Sequence, residues 1–332
     1  MIKEINRIQW IDYLKGICMI AIVMNHLSWP EWYARFLSPF HLVGFFFVAG
    51  YTFNLKASFR EFLVTKIRTL LIPVLVFGLL NALLTYIYPG TILKDRLIGI
   101  LTQIPGKWDD LWFVACLFTM SILFYPIVKY VKSNVLRFVV TVVAAIAGIY
   151  TFNQGPDLPW QFENACILLP AIYIGYWARS TNAGKKVMHL LRNSWTLLAL
   201  LVMYVLLICV YDNYPIDVHI LNYGSFPFFW ISAIIGTMLI ISISMNLESI
   251  ADRFSLRALQ YVGKNTLIYY ACQSKVITIL IAVLSIANIY TTNYISNILV
   301  ALAVCVFLVI PTEIINKFCP FILGRKRYYN KS

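Results

Sequence analysis

The sequence has too few charged residues for a water-soluble protein of its length. Only 12% of its 332 residues are Asp, Glu, Lys or Arg, whereas about a quarter is usual in soluble domains. Hydrophobic residues make up 61% of the chain. This much apolar surface cannot be hidden from water inside one globule, so the composition predicts a protein whose solvent is lipid.

Cysteine motifs and long polar tracts are also missing. The seven cysteines show no CxxC or Cys/His ligand spacing, so we expect neither a disulfide framework nor a zinc site, and no bound metal. The first apolar segment lacks a small-residue cleavage site, so we expect no cleavable signal peptide. We find no internal repeat and no separate soluble domain.

Acidic residues are scarce, with 14 against 27 basic residues and a net charge of +13. Such a charge could suggest nucleic acid as a partner, but the basic residues do not form one stripe. They lie in short clusters between apolar segments, which is typical of cytoplasmic loops of membrane proteins. We therefore expect the lipid bilayer, and not nucleic acid, as a partner. The clusters lie at residues 3–7, 56–68, 129–137, 179–192, 253–264 and 317–331.

Ten segments are long and apolar enough for spanning helices, which need ~20 residues each. They lie at about 11–29, 38–55, 69–88, 110–130, 134–152, 161–178, 193–211, 224–246, 265–286 and 291–316. A short amphipathic stretch at 92–103 is predicted to lie at the membrane interface. The predicted fold is all-α: a single polytopic membrane domain over residues 1–332, in the cell membrane.

The basic clusters occupy every second loop, apart from the loop with Lys94, Arg96 and Lys107. By the positive-inside rule, both termini are then cytoplasmic and the odd-numbered helices run outward. One miscounted helix would break this alternation.

Lys15 and His26 lie in the first predicted helix, where an ionisable side chain is costly and therefore a functional candidate. Lys15 and His26 are 11 residues apart. In an α-helix this spacing brings the two side chains to within about 20° of the same direction and separates them by ~16 Å along the axis. Lys15 lies near the cytoplasmic end and His26 near the outer end. The alternative is that Lys15 reaches the lipid phosphates and His26 makes a structural hydrogen bond between helices.

Other candidates follow from the predicted orientation. His41 begins the second helix, which returns it to the level of His26, and Glu163 begins the sixth helix on the same outer side. Lys66, Arg68 and Lys264 lie on the cytoplasmic side, where such groups suit phosphates. Each has a structural alternative, namely ordinary loop charge for the cations and an interface position for His41 and Glu163.

The predicted arrangement places the cationic side chains on the cytoplasmic side and the imidazoles on the outer side of the membrane. One face of the first helix connects the two sides. It suits a long phosphorylated donor such as acyl-coenzyme A, with phosphates on the cytoplasmic cations and the thioester reaching inward. A histidine of near-neutral pKa is a good general base for a hydroxyl acceptor. His41 or Glu163 would orient His26 or bind the acceptor.

Five stretches, in order from residue 10 to about 275, resemble the integral-membrane acyltransferase type 3 family. Within it, the sequence looks closest to the branch of fucose 4-O-acetylase-like sugar O-acetyltransferases. The stretches are DYLKGICMIAIVMNH, FHLVGFFFVAGY, KIRTLLIP, LWFV and VGKNTLIYYACQ.

The resemblance implies transfer of an acyl group, commonly acetyl, from a cytoplasmic coenzyme A donor to an envelope glycan or lipid-linked sugar. It implies that His26 is catalytic, that Lys15 is its basic partner and that Arg68 contacts the donor. We add Trp112, Tyr51 and Gln273 as substrate-binding candidates, with an interfacial belt role as the alternative for Trp112. The sequence departs from the family motifs at two positions. Lys15 stands where Arg is commoner, and Gln273 stands where the last motif ends in His. Gln273 cannot act as a base.

Two rival functions share these features. A glycolipid or polysaccharide transporter or flippase also has many helices with buried polar residues, but we find no internal symmetry of the kind common in transporters. A membrane scaffold without activity would leave Lys15 and His26 unexplained.

Overall fold

The computed structural model describes residues 8–27, 31–55, 58–86, 93–106, 111–155, 157–210, 216–249, 254–287 and 294–325. In these ranges the chain is helical, without β-strands, and one isolated bridge joins Asp217 and Asn222. The α-helices are α1 Gln9–Asn25, α2 Glu31–Leu37, α3 His41–Tyr51, α4 Phe59–Lys66, α5 Ile72–Tyr86, α6 Leu93–Thr102, α7 Trp112–Tyr130, α8 Asn134–Gln154, α9 Phe162–Ile167, α10 Leu169–Ser180, α11 Asn182–Leu190, α12 Ser194–Val210, α13 Phe226–Glu248, α14 Phe254–Lys264, α15 Thr266–Ile286, α16 Tyr294–Phe307 and α17 Val309–Phe318.

Each of the ten predicted segments is helical along most of its described part, as is the amphipathic stretch at 92–103. Several apolar helices make this a multi-pass membrane protein, while the count of ten spans stays a prediction. Both termini, and parts of the basic clusters that set the predicted orientation (3–7, 56–57, 107, 253 and 326–331), lie outside the described residues. Within the part of the chain that the structure describes, six helices are long and apolar enough to cross a membrane, or seven if the pair α11 and α12, bent by 86°, is one span. The six are Phe59–Leu84, Trp112–Tyr130, Asn134–Gln154, Phe226–Glu248, Thr266–Ile286 and Tyr294–Phe318.

The third helix begins ten residues earlier in the structure than its predicted start at residue 69. The helix begins at Phe59, because Ser58 and Glu61 form a capping box at its start. It then widens into a π-helix at Ile67–Leu71, where the N–H of Ile72 bonds to the carbonyl of Ile67. Pro73 follows directly and has no N–H to continue the α-helical ladder, which accounts for the shifted register.

The first two predicted helices are also shorter than expected. The first ends at Asn25 instead of residue 29, and the second begins at His41 instead of residue 38. Pro39 lies in the turn before His41, two residues after the end of α2 at Leu37, and its missing N–H prevents α2 from continuing. The short helix α2 and this turn thus connect the two histidine-bearing helices.

Two predicted helices are interrupted by turns. The sixth breaks at Leu168 and the tenth at Leu308. Pro170 and Pro311 lie two and three residues beyond these breaks, and each removes one hydrogen bond of a continuous helix. Apolar periodicity alone does not reveal such breaks.

Contacts between Cα atoms divide the chain into two compact units. The first unit comprises Met1–Val48, Ala178–Ile216 and Tyr223–Ile310, and the second comprises Ala49–Trp177, Asp217–Asn222 and Pro311–Ser332.

Helix α1 is the centre of the first unit and packs against α13, α14, α15 and α16. Its crossing with α14 is the tightest contact. A Cβ on Gly16 would lie 2.5 Å from the carbonyl oxygen of Leu259, and one on Gly263 would lie 1.8 Å from that of Asp12. Helix α14, which the sequence analysis treated as a loop, therefore lies directly against the first turn of α1.

In the second unit, α9 packs against α7 and α8. Gly148 of α8 allows this approach, because a Cβ there would lie 2.9 Å from Cβ of Cys166. Phe53 and Phe124 meet edge to face at 5.1 Å between ring centroids. These contacts fix the positions of α7 and α9, which carry two of the predicted site residues.

The close contact at Gly263 predicts that a residue larger than glycine does not fit at this position. Gly263→Ala is expected to separate α1 from α14 and destabilise the protein by about 1–3 kcal/mol, because the added methyl group overlaps a backbone carbonyl. Thermal unfolding of the purified protein in detergent measures the effect. Gly78→Ala is the control, since a Cβ there meets only the side chain of Ile100 at 3.1 Å. Equal unfolding midpoints for both variants would contradict the close crossing.

Candidate functional site

Helix α1 carries Lys15 and leads into His26. The helix is continuous from Gln9 to Asn25, and His26 follows with helical backbone angles, φ −87° and ψ −1°. The two residues therefore leave the helix on the same side, about 16 Å apart along its axis. His26 is exposed at the helix end. The ammonium group of Lys15 forms an ion pair with Asp12 at 3.4 Å.

His41 is buried at the start of α3. Its Nδ1 lies 2.8 Å from the carbonyl oxygen of Leu37. A carbonyl can only accept, so Nδ1 carries the proton and Nε2 keeps its lone pair. Asn25, the residue before His26, lies 3.5 Å from Nδ1 of His41, so the structure brings together the ends of the two helices that carry the histidines predicted for the outer side.

Asn25 is a polar neighbour that the sequence analysis missed. Its side-chain amide lies 3.5 Å from Nδ1 of His41 and 3.4 Å from the hydroxyl of Ser38. Its Oδ1 is buried without a hydrogen-bond partner among the described residues. Exchanging the amide O and N would let Oδ1 accept from both neighbours, which is the better assignment. Asn25 then supports the protonated Nδ1 of His41.

Gln273 lies in the middle of α15 and is 2% exposed. Its Oε1 is buried and has no hydrogen-bond partner within the part of the chain that the structure describes. An unpaired amide oxygen is costly in an apolar environment, so this position is poorly explained by packing alone.

Lys264 ends α14 and is exposed. Its neighbour Gly263 touches the backbone of Asp12, which is itself the ion-pair partner of Lys15. The crossing of α1 and α14 thus brings two of the four predicted donor-binding cations to one region.

A small, partly open pocket adjoins the turn before His41 in the first unit. Its wall is mostly apolar, with one guanidinium group, and it includes Pro39, two residues before His41. The lining residues are Arg35, Pro39, Leu207, Ile208, Ile216, Phe228 and Ser232.

Lys66 and Arg68 lie in the second unit, at the junction of α4 with the π-helix. The ammonium group of Lys66 lies 5.5 Å from the ring centroid of Phe62, and Arg68 is exposed. A π-helical turn is frequent at functional sites. Tyr51 ends α3, next to Gly50, where a Cβ would lie 1.8 Å from the carbonyl oxygen of Ile172.

Trp112 begins α7 and stacks on His219, with 5.3 Å between ring centroids and an interplanar angle of 27°. His219 belongs to the short 3₁₀ helix Val218–Ile220. The sequence analysis missed it, because no periodicity connects residues this far apart in the chain. The stacking holds the start of α7 against the 3₁₀ helix within the second unit.

Glu163 lies in the first turn of α9 and is fully buried. Its Oε1 accepts a hydrogen bond from the backbone N–H of Leu158. Two buried glutamines near it, Gln103 and Gln161, were also missed by the sequence analysis. Backbone hydrogen bonds join their two loops.

The predicted site residues divide between the two units. The first unit holds Lys15, His26, His41, Lys264 and Gln273, and the second holds Tyr51, Lys66, Arg68, Trp112 and Glu163. Their assigned roles stay predictions.

Comparison with known proteins gives one match. A model of an acyltransferase domain, that of the acyltransferase type 3 family, matches residues 8–313. No curated protein and no solved structure matches significantly.

The hydrogen bond from His41 predicts its tautomer. Selective ¹⁵N labelling of the four histidines followed by NMR in lipid nanodiscs should show His41 with the proton on Nδ1, because Leu37 can only accept it. His41→Asn identifies the signal. A proton on Nε2 of His41 would contradict the geometry. Asn25→Leu should broaden or shift the same signal, whereas a substitution at the distant, exposed His189 should leave it unchanged.

Proposed function

We propose that this chain, which belongs to the acyltransferase type 3 family, moves an acyl group from cytoplasmic acyl-coenzyme A to a hydroxyl of an envelope or lipid-linked sugar. Acetyl is the expected group, so acetyl-coenzyme A is the expected donor. The observation that supports this most is the unbroken helix α1, which carries a cation and an imidazole on one side.

The donor is held through its phosphates. Lys15 and Lys264 lie at the crossing of α1 and α14, and ammonium groups bind phosphates as point charges. Lys66 and Arg68 are further donor contacts in this proposal, and the guanidinium of Arg68 can bind a phosphate in two places at once. The thioester then extends along α1 toward His26, about 16 Å away.

His26 acts as the general base. It takes the proton from the sugar hydroxyl as the hydroxyl oxygen attacks the thioester carbonyl carbon. The new C–O bond forms, the C–S bond breaks, and the coenzyme A thiolate receives a proton as it leaves. A transient acyl-imidazole on His26 is the alternative route to the same ester.

His41 supports this step through its Nε2 lone pair. Because Nδ1–H is bound to the carbonyl oxygen of Leu37, Nε2 can accept a hydrogen bond from the acceptor hydroxyl or from His26. Asn25 acts as a positioning residue, since its amide contacts His41 and not the reacting atoms. No metal is needed for this chemistry.

Replacement of His26 tests the proposal. His26→Ala is expected to lower acyl transfer by about 10²–10⁴-fold, the usual contribution of a general base, with normal expression and an unchanged unfolding midpoint. The measurement is the acetyl content of envelope glycans by mass spectrometry. His189→Ala is the matched control, because His189 is exposed on α11. Full glycan acetylation by His26→Ala would contradict the role of His26.

Replacement of Lys15 separates donor binding from chemistry. Lys15→Met is expected to raise the KM for acetyl-coenzyme A roughly tenfold or more, because a charge-assisted hydrogen bond to a phosphate is lost. Lys15→Arg keeps the charge and should retain most of the affinity. Steady-state release of coenzyme A measures both, with the exposed Lys185→Met as the control. An unchanged donor KM in Lys15→Met would place Lys15 in a purely structural role.

A further inference from the structure

Three buried polar side chains in the second unit each keep one polar atom without a partner. Gln103, Gln161 and Glu163 are all 0% exposed. The atoms are Oε1 of Gln103, Nε2 of Gln161 and Oε2 of Glu163, none of which has a hydrogen-bond partner among the described residues. Three such atoms on two loops that are joined by backbone hydrogen bonds are unusual, because buried polar groups are nearly always paired.

The backbone around them is held in a strained form. Gln103, Trp160 and Gln161 all have positive φ, at 50°, 60° and 54°. Such angles cost roughly 1–3 kcal/mol each for residues other than glycine and cluster at ligand-binding sites. The N–H of Trp160 bonds to the carbonyl of Thr102 at 2.7 Å, and that of Gln161 to the carbonyl of Gln103 at 3.1 Å. The two loops are therefore joined directly at the glutamines.

Both glutamines are anchored by the other end of their amides. Nε2 of Gln103 donates to the carbonyl of Ile100 at 3.0 Å. Oε1 of Gln161 accepts from the side-chain amide of Asn164 at 2.7 Å. The bond to the backbone carbonyl of Ile100 fixes the orientation of the Gln103 amide, which offers an acceptor, and in the orientation shown Gln161 offers a donor.

Glu163 is anchored in the same way. Its Oε1 accepts from the N–H of Leu158, which leaves Oε2 as a second, charged acceptor. Packing of α9 against Gly148 keeps the residue in place, because the carbonyl of Glu163 lies 3.0 Å from a Cβ built there.

Together the three unpaired atoms offer one hydrogen-bond donor and two acceptors. Its complement is a group that donates twice and accepts once, which is the property of two neighbouring hydroxyls. Amide and carboxylate side chains of this kind provide specificity for hydroxylated ligands. The predicted topology places both loops on the outer side of the membrane, where the acceptor of the proposed reaction lies.

We propose that Gln103, Gln161 and Glu163 form a binding subsite for two neighbouring hydroxyl groups of the acceptor sugar. This inference rests on the proposed function, and it names the part of the acceptor that the second unit binds. The side chains are covered in the described state, so binding requires the paired loops to open. When the two loops separate, the positive-φ residues Gln103, Trp160 and Gln161 can relax to ordinary backbone angles, which releases the strain.

Glu163→Gln is the sharpest test, because it keeps the bond to Leu158 and removes only the unpaired negative oxygen. The KM for acceptor should rise roughly tenfold or more while the KM for acetyl-coenzyme A stays unchanged. The unfolding midpoint should stay equal or rise, since an unpaired buried charge is removed. The acceptor used is the cell-envelope fraction of source cells that lack this protein, titrated against the purified enzyme in lipid vesicles.

Gln161→Met repeats the test at the hydrogen-bond donor of the subsite, and the same rise in the KM for the acceptor sugar is expected. Thr119→Val is the matched control, because Thr119 lies on α7 and contacts the same loop. The hydroxyl of Thr119 donates to the carbonyl of Trp160 at 2.7 Å, so its loss should lower the unfolding midpoint and leave the acceptor KM unchanged.

The outcomes separate the two proposals. If the wild-type protein transfers no acetyl group to the envelope fraction, the proposed function is wrong. If the wild type is active and both Glu163→Gln and Gln161→Met keep the wild-type acceptor KM, the subsite is wrong and the function stands. A lowered midpoint with unchanged acceptor KM in these variants would show that the three side chains only hold the loops together.

Discussion

An unpaired polar group is costly where water is absent, and this constraint decides which residues of the chain need an explanation. The apolar helices can pack with any side chains of suitable size. Buried amides and carboxylates need a hydrogen-bond partner, and most of them have one. Asp12 pairs with Lys15 at the start of α1, and His41 bonds to the carbonyl of Leu37. Among the described residues, Gln103, Gln161 and Glu163 each keep one buried atom without a partner, and these are the atoms that we propose a substrate completes.

The helical segments were predictable because the length of an apolar run is set by the thickness of the bilayer. The predicted bounds of α7, α8, α13 and α15 agree with the structure to within about two residues. The errors lie where a local interaction overrides the apolar pattern. Pro73 forces a π-helix, the capping box at Ser58 starts a helix early, and an amphipathic segment that ends at Lys264 forms a helix of its own.

The site was predictable only where it follows a helix face. The spacing of Lys15 and His26 gives their common side directly, because α1 is unbroken. The neighbours of His41 and Glu163 could not be found in this way. Asn25 meets His41 across a hairpin, and Gln161 meets Gln103 through a backbone hydrogen bond between loops. Such contacts depend on how turns fold back, which no periodicity in the sequence encodes.

The central claim is that α1 connects a donor on the cytoplasmic side with an acceptor on the outer side. Sealed vesicles with the protein in one known orientation test it directly, with ¹³C-acetyl-coenzyme A on the cytoplasmic face and envelope glycan only on the opposite face. The account predicts that the labelled acetyl group appears on the glycan although the two substrates never share a compartment. Labelling only when donor and glycan are on the same side would contradict it.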